Sequence, residues 1–589
     1  MTTKAESRSA AGTIYLIAIQ VVSRGLTFVG NQTLLRYVSP SHLGLAVQLE
    51  ALSISVLYTA RESLRVALQR NSGGAAGTKS SQAAVNAAYL VVLLGLILGT
   101  LLSFLYLYPA GSGLSTTPGF RYSFWLYAGA TILELLSEPC FAVIQQNALF
   151  RDRARAETTA AITRCIAACS AAVCMSRYGM TMSVLPFAIG QLGYGLSLFT
   201  VYSWSATRVA GSENFSVFPK QLQDAQEAVL SFFSKPLLKV AGAFYVQSIF
   251  KWLLTQGDTL VLSYFADLQS QGIFALASNY GGLLSRLLFQ PVEESSRTVF
   301  GRLLVADKLS TVKSDPSVDR SPEMVQRRHQ ALTYLSTILH SYTLLIVIPC
   351  CTLLPQIFPI LISTLLGSKS QWNSSQTSAL LSAYSYYIPF LAVNGILDAF
   401  VTSVATEAEL GWQSIMMVSV TAIYLSVAAL FMDSMAMGAV GLVYANTINM
   451  SLRITFSLWF IHGWTLENIP ESPPAKRTSA FRQFCKESTP STICLLMSVL
   501  VALGLKTQEQ VKAALANNAS VAELSIVSLG SLGLDLFDVS YLLSAAVVLV
   551  GTILLTEGKF LLRTVEPVLP QRVKSVFEPY FTERAKKEQ

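Results

Sequence analysis

The sequence predicts an all-α, polytopic membrane protein, and three observations lead there. Only 13% of the 589 residues are charged while 52% are hydrophobic, and mean hydropathy is +0.48. A soluble domain carries about 25% charged residues, so the main solvent of this chain is lipid. Apolar runs close to the ~20 residues that cross a bilayer recur along the chain. Lys and Arg fall unevenly between alternate loops, as in chains oriented by retention of basic residues on the cytosolic side.

Fourteen spans are predicted. Six lie at 12–35, 42–66, 83–107, 122–143, 159–176 and 182–202, and six more at 237–265, 273–292, 334–354, 380–404, 413–432 and 440–461. Two others, 490–505 and 541–555, follow a polar, Pro-bearing linker at 469–476. The predicted organisation is therefore a six-helix N-terminal lobe over 1–210, a cytosolic linker over 211–236 and a six-helix C-terminal lobe over 237–465. Residues 466–589 hold a linker, helices 13 and 14 and a cytosolic tail. With the N-terminus in the cytosol, only Arg36, Arg121, Arg177, Lys369, Lys506 and Lys512 of the 42 basic residues fall on the far side. Both termini are then cytosolic. The first apolar run is long and lacks a small-residue cleavage site, so it is expected to stay as the first membrane helix.

Several chemistries are disfavoured. The net charge of +8 is an orientation signal, with no nucleic-acid footprint. Eight cysteines without a C-x-x-C pair, and only four histidines, support neither a metal nor a cofactor. Cys165 and Cys169 share a helix face and are read as small packing residues. Walker A, H-E-x-x-H and G-x-S-x-G motifs are absent, which argues against an ATPase or ordinary hydrolase.

Charge within the spans is the strongest signal, because an ionisable group at bilayer depth costs about 2.5–3.5 kcal/mol and usually faces a partner or a wet cavity. Span one carries Gln20, Arg24, Thr27 and Asn31 on one narrow stripe. Span seven carries Gln247, Lys251, Leu254 and Asp258 at the same spacing, and Gly30 is matched by Gly257. The recurrence of Q-x3-[RK]-x5-G-[ND] reads as an internal repeat, and parallel repeats are a known transporter plan. Arg24 and Lys251 would then lie at similar depth, ~20 Å along their helices, facing each other across a cavity. In span two, Glu50, Arg61 and Arg65 share a face; Arg61 is the functional candidate, Glu62 a partner for a neighbouring cation, and Arg65 and Arg70 are read as cytosolic anchors. Glu134 and Glu138 sit in span four, Arg286, Glu293 and Glu294 in and below span eight, Asp398 in span ten, and Asn446, Asn449 and Arg453 on one face of span twelve. The carboxylates are read as ion-pair partners that fix helix packing. The excess cations suit an anionic headgroup, since Arg binds phosphate oxygens in a bidentate way.

The stretches "RESLRVAL" (61–68), "LSEPCFAVIQQ" (136–146), "TQGDTLVLSYF" (255–265), "SNYGGLLSRLLFQPVEESSRTVF" (278–300), "NGILDAFVTSVATEAEL" (394–410) and "GAVGLVYANTINMSLRI" (438–454) resemble the Rft oligosaccharide translocation proteins. The resemblance implies an endoplasmic reticulum membrane protein with the fold of the lipid II flippase and the multidrug exporters: two six-helix lobes around a central cavity, plus two C-terminal helices. It further implies that the partner is a dolichyl-diphosphate-linked oligosaccharide, carried from the cytosolic to the lumenal leaflet for N-glycosylation. By position Arg24 and Lys251 are the cavity cations it suggests, with Arg61, Arg286 and Arg453 behind them; Lys251 departs from the arginine of the lipid II relatives.

Two other classes stay open: a non-flipping accessory in glycolipid assembly, touching membrane enzymes of the glycosylation pathway, and an ion-coupled antiporter, which would want unpaired cavity carboxylates. The topology leaves Asn373 and Asn518 in lumenal sequons, whereas the Asn214 sequon is cytosolic. Lys586 and Lys587, fourth and third from the end, resemble a dilysine retrieval signal.

Overall fold

The computed structural model describes residues 28–71, 81–107, 118–147, 149–180, 183–213, 216–222, 228–310, 322–367, 371–469, 479–518, 528–529 and 534–565. They are almost all helical and divide into two units. The first comprises residues 1–275 with 370–372, the second 276–369 with 373–589.

The first unit holds α1 (28–35), α2 (Pro40–Asn71), α3 (Ser81–Leu107), α4 (Phe120–Leu136), α5 (Glu138–Gln146), α6 (Phe150–Arg177) and α7 (Leu185–Glu213). A two-stranded hairpin of β1 (Ala228–Val229) and β2 (Phe233–Ser234), α8 (Lys235–Phe265) and the start of α9 (Leu268–Leu284) complete it. Helix α6 runs along α7, which also packs on α4, while α2 is flanked by α3 and α8. Small residues set these approaches. Ala60 and Ala67 of α2 meet Ala84 and Ala88 of α3, so the backbones come close without voids. Gly44 of α2 and Gly272 of α9 cross with no room for a methyl on either: it would fall on the Leu268 carbonyl in one case and the Pro40 carbonyl in the other. The ring of Trp372 is buried in this unit, its Nε1 donating to the carbonyls of Leu35 and Val38 at 3.0 Å each.

In the second unit α9 continues through a π-helical turn, Ser285–Phe289, into α10 (Gln290–Ser310). Next come α11 (Pro322–Tyr342), a π turn at Thr343–Val347, α12 (Ile348–Thr352), α13 (Leu354–Leu366), α14 (Ser375–Val404), α15 (Glu407–Ala429), a third π turn at Leu430–Ser434 and α16 (Gly438–Asn468). Then follow α17 (Ser479–Ser488), α18 (Thr492–Asn518), the pair β3 (Ser528–Leu529) and β4 (Leu534–Asp535), and α19 (Leu536–Val565). Starts and stops follow local chemistry. The Ser374 side chain accepts from Thr377 N at α14, Thr406 and Glu409 form a capping box at α15, and Gly367 at φ 94° ends α13.

Among the described residues eight helices are long and apolar enough to cross a membrane: 40–68, 81–107, 120–146, 151–177, 323–352, 375–404, 408–434 and 539–562. A ninth span is formed if α17 and α18, bent by 41°, act together. Three details differ from the sequence reading. The span at 122–143 is broken at Ser137, where Pro139 brings no N–H and the Ser137 hydroxyl bonds back to the Glu134 carbonyl at 2.7 Å. Helix α10 runs to Ser310, well past the expected end at 292, because hydropathy marks where lipid ends and not where a helix ends. Helix α13, short and apolar with Pro359 inside it, was not foreseen.

The hairpin of α18 and α19 docks through a polar knot. His340 of α11 places Nε2 3.3 Å from Glu557 Oε2 and Nδ1 2.9 Å from the Glu487 carbonyl, and Ser491 N donates to Glu557 Oε1 at 2.6 Å. Both His340 and Glu557 are buried. Glu557→Ala is expected to lower stability by about 1–3 kcal/mol, because it strips a buried amide and an imidazole of their acceptor. A lowered melting temperature of the purified chain, with Glu557→Gln in between, is the check; an unchanged melt refutes the docking role.

Candidate functional site: buried charges in the helix bundle

Four charged side chains meet where α2 passes the α4–α5 break. The helical period puts Arg61 and Arg65 one turn apart on α2. Glu134 and Glu138, one turn apart across Ser137, approach from the opposite side, and both carboxylates are buried. Arg61 Nη1 lies 3.2 Å from Glu138 Oε1 and 3.6 Å from Glu134 Oε2. Arg65 Nε donates to Glu138 Oε2 at 3.1 Å, and its Nη2 to Glu138 Oε1. Gln191 of α7 donates from Nε2 to Glu134 Oε1 at 2.9 Å. Two guanidinium groups thus face two carboxylates, and the cluster is charge-balanced, which is how charge is tolerated at membrane depth. The Arg65 guanidinium also stacks 3.9 Å from the ring of Phe141, whose edge meets Tyr202. A second pair, Arg164 Nη2 to Glu50 Oε2 at 2.9 Å, ties α6 to α2.

The second unit carries a comparable group with a different balance. Arg297 Nη2 is 2.6 Å from Glu293 Oε1 and 3.4 Å from Asp398 Oδ2, and Gln413 Nε2 donates to Asp398 Oδ1 at 2.8 Å. Among the described residues one cation faces two carboxylates here. Gly395 of α14 leaves room for the Glu293 carboxylate, which lies 3.0 Å from where a Cβ would stand. On α16, Asn446 is buried and Asn449 and Arg453 are half-buried; the buried Nε of Arg453 has no hydrogen-bond partner among the described residues.

The expected site residues distribute as follows. Gln20, Arg24, Asn214, Lys586 and Lys587 lie outside the described residues, so the duplicated stripe cannot be compared at its first copy. Gln247 and Lys251 fall on α8, Arg286 on the π turn before α10 and Asn518 at the end of α18, each with its backbone alone described. Asn31 is exposed on α1 and Asp258 half-buried on α8. Glu62 is half-buried on α2, and the cation beside it, Arg61, bonds the acids of α4 and α5. Arg65, read as a cytosolic anchor, bonds Glu138. Asn373 is exposed, just before the Ser374 cap. Sequence reasoning did not single out Arg164, Gln191, Arg297, Gln413, or the pair Gln82 and Asn86 at the start of α3. The amides gave a usable signal, being isolated polar groups in apolar surroundings; the partner of Arg164 was not readable, because its contact to Glu50 spans 114 positions.

A sequence model of the family described as "Rft protein" matches residues 8–535. The "Man(5)GlcNAc(2)-PP-dolichol translocation protein RFT1" of Yarrowia lipolytica is 32% identical over 501 residues, covering 79% of this chain and 71% of that one. The protein of the same name from Saccharomyces cerevisiae is 30% identical over 534 residues, covering 83% and 88%. Among solved structures, "Lipid II flippase MurJ, inward closed conformation" superposes with a TM-score of 0.57 at 14% identity, over 93% of this chain and 100% of that one, so the fold is shared. The chain belongs to the Rft protein family.

Proposed function

We propose that the chain moves a dolichyl-diphosphate-linked oligosaccharide of mannose and GlcNAc from the cytosolic to the lumenal leaflet of the endoplasmic reticulum membrane, for protein N-glycosylation. The names of its relatives and the flippase fold support glycolipid transport. In this reading fourteen spans form two six-helix lobes about a central cavity, with two further helices and both termini in the cytosol. Asn373 and Asn518 are then lumenal sequons, and Lys586 with Lys587 a retrieval signal.

One observation supports the choice of headgroup ligand. Arg61 and Arg65 donate into Glu134 and Glu138, whereas among the described residues the buried Nε of Arg453 meets no acceptor. A buried donor left unmet costs about 1–3 kcal/mol. A diphosphate oxygen supplies the missing acceptor and matches the fork geometry of a guanidinium. Arg24, Lys251 and Arg286 are proposed as the accompanying cations, with Gln20, Asn31, Gln247, Asp258, Asn446 and Asn449 as polar lining. Arg61 joins them only if Glu134 and Glu138 release it. A ligand held between cations drives a conformational step through its differential affinity for the two states.

The test is leaflet exchange of a fluorescent lipid-linked oligosaccharide in liposomes containing the purified chain. Arg453→Ala is expected to slow exchange about tenfold, the equivalent of one lost charge-assisted bond. Arg453→Lys should be milder, and Arg24→Ala and Lys251→Ala should slow exchange with the protein still inserted. Parent rates in all three Ala variants would refute the cationic site. An inactive parent that still supports N-glycosylation in cells would move the reading to an accessory of glycolipid assembly.

A further inference from the structure

Between α7 and α8 the chain is strapped to the first two turns of α3 by two buried amides. Gln82 takes Ser216 N on its Oε1 at 2.9 Å and donates from Nε2 to the Phe218 carbonyl at 3.0 Å. Asn86 accepts from Lys220 N at 3.1 Å and donates from Nδ2 to the carbonyls of Lys220 and Phe232, each at 2.7 Å. Gln82 Nε2 also reaches Asn86 Oδ1 at 3.0 Å. The strap and the base of the β1–β2 hairpin are therefore fixed to a helix that qualifies as a membrane span.

Helix length sets the depth of this attachment. The 27 residues of α3 extend about 40 Å at 1.5 Å per residue, against ~30 Å of hydrocarbon. The surplus lies at the end that carries Ser81, Gln82 and Asn86, which puts the strap at headgroup level. Nearby on α7, Arg208 stacks 4.0 Å over the exposed ring of Trp204, a pairing typical of the interface.

What the strap displays at that level is unusual for a polar loop. Leu230 at the hairpin tip is 79% exposed and Phe218 is 73% exposed. Leu230 and Ser231 both take positive φ, 53° and 60°, with Phe232 N bonded to the Val229 carbonyl. Turns of this kind favour Asn-Gly, and a left-handed non-glycine residue costs about 1–2 kcal/mol. Among the described residues the Leu230 side chain at this strained turn stays largely uncovered. Lys220, Lys235 and Lys239 are exposed beside it.

We propose that residues 216–222 and 228–239 form a docking pad for an anionic lipid surface. Phe218 and Leu230 dip into the acyl boundary, and Lys220, Lys235 and Lys239 pair with headgroup phosphates. Apolar tips with flanking lysines are the arrangement that binds such an interface. The role is independent of what the bundle transports.

The test places an environment-sensitive NBD label on Leu230→Cys, in the full chain with the two exposed cysteines changed as Cys174→Ser and Cys485→Ser. The chain is reconstituted in nanodiscs of phosphatidylcholine alone or with phosphatidylserine. The expected result is quenching by shallow nitroxide lipids, with aqueous iodide quenching at least about twofold weaker in the anionic discs. Adding Lys220→Glu, Lys235→Glu and Lys239→Glu should abolish the difference between the two lipids. Full iodide quenching without nitroxide quenching would overturn the proposal. Shielding from both quenchers would overturn it as well, in favour of a protein contact.

Discussion

Replacing Glu138 with Ala is expected to lower stability by about 3 kcal/mol, because it takes from the half-buried Arg65 guanidinium the carboxylate that it bonds. Arg61 keeps Glu134, so its share of the loss is smaller. The cluster is charge-balanced, which yields a sharper expectation than the single variant. Glu138→Leu with Arg65→Leu removes one charge of each sign, and the double variant should be more stable than Glu138→Leu alone. Thermal melts of the purified chain in one detergent provide the comparison. If Glu138→Ala melts with the parent, the cluster is not a brace. If the double variant loses at least as much as the two singles together, the two charges do not compensate one another.

Substituting Val at Gly44 or Gly272 is expected to destabilise by about 3 kcal/mol, near the upper range for overpacking, because the new atoms meet main chain and not a yielding side-chain tip. The helices α2 and α9 would have to separate at their crossing. Once apart, they have room for a second methyl, so Gly44→Ala with Gly272→Ala should be less damaging than the sum of its parts. Full additivity in the melts would mean that the two glycines do not share one contact.

How far these features were legible depends on their range. Helix positions were largely readable, since the apolar period needs only neighbouring residues. The carboxylates of span four lie beside guanidinium groups, and an acid in apolar sequence demands a cation. Which cation could not be read: Arg61 and Arg65 lie more than seventy positions from Glu138. The break at Ser137 depends on one proline and one hydroxyl, below the resolution of a hydropathy window. The repeat argument fares unevenly. Gly30 accommodates the Cys165 sulfur and its carbonyl accepts from Cys169, whereas among the described residues nothing lies within 4 Å of where a Cβ on Gly257 would stand. A matched letter therefore conceals two different environments.

The three π turns have a consequence for how this family can change length. Each is an α-helix that has absorbed one surplus residue, so removing one residue there restores regular winding. Among the described residues all three lie in the second unit, at Ser285–Phe289, Thr343–Val347 and Leu430–Ser434. A single-residue deletion inside any of them should be absorbed by local rewinding. The same deletion in the uninterrupted α2 would turn every later side chain by about 100° and scatter the partners of Arg61 and Arg65. Inherited insertions and deletions are thus expected to accumulate at the π turns of the second half and to be purged from the long helices of the first.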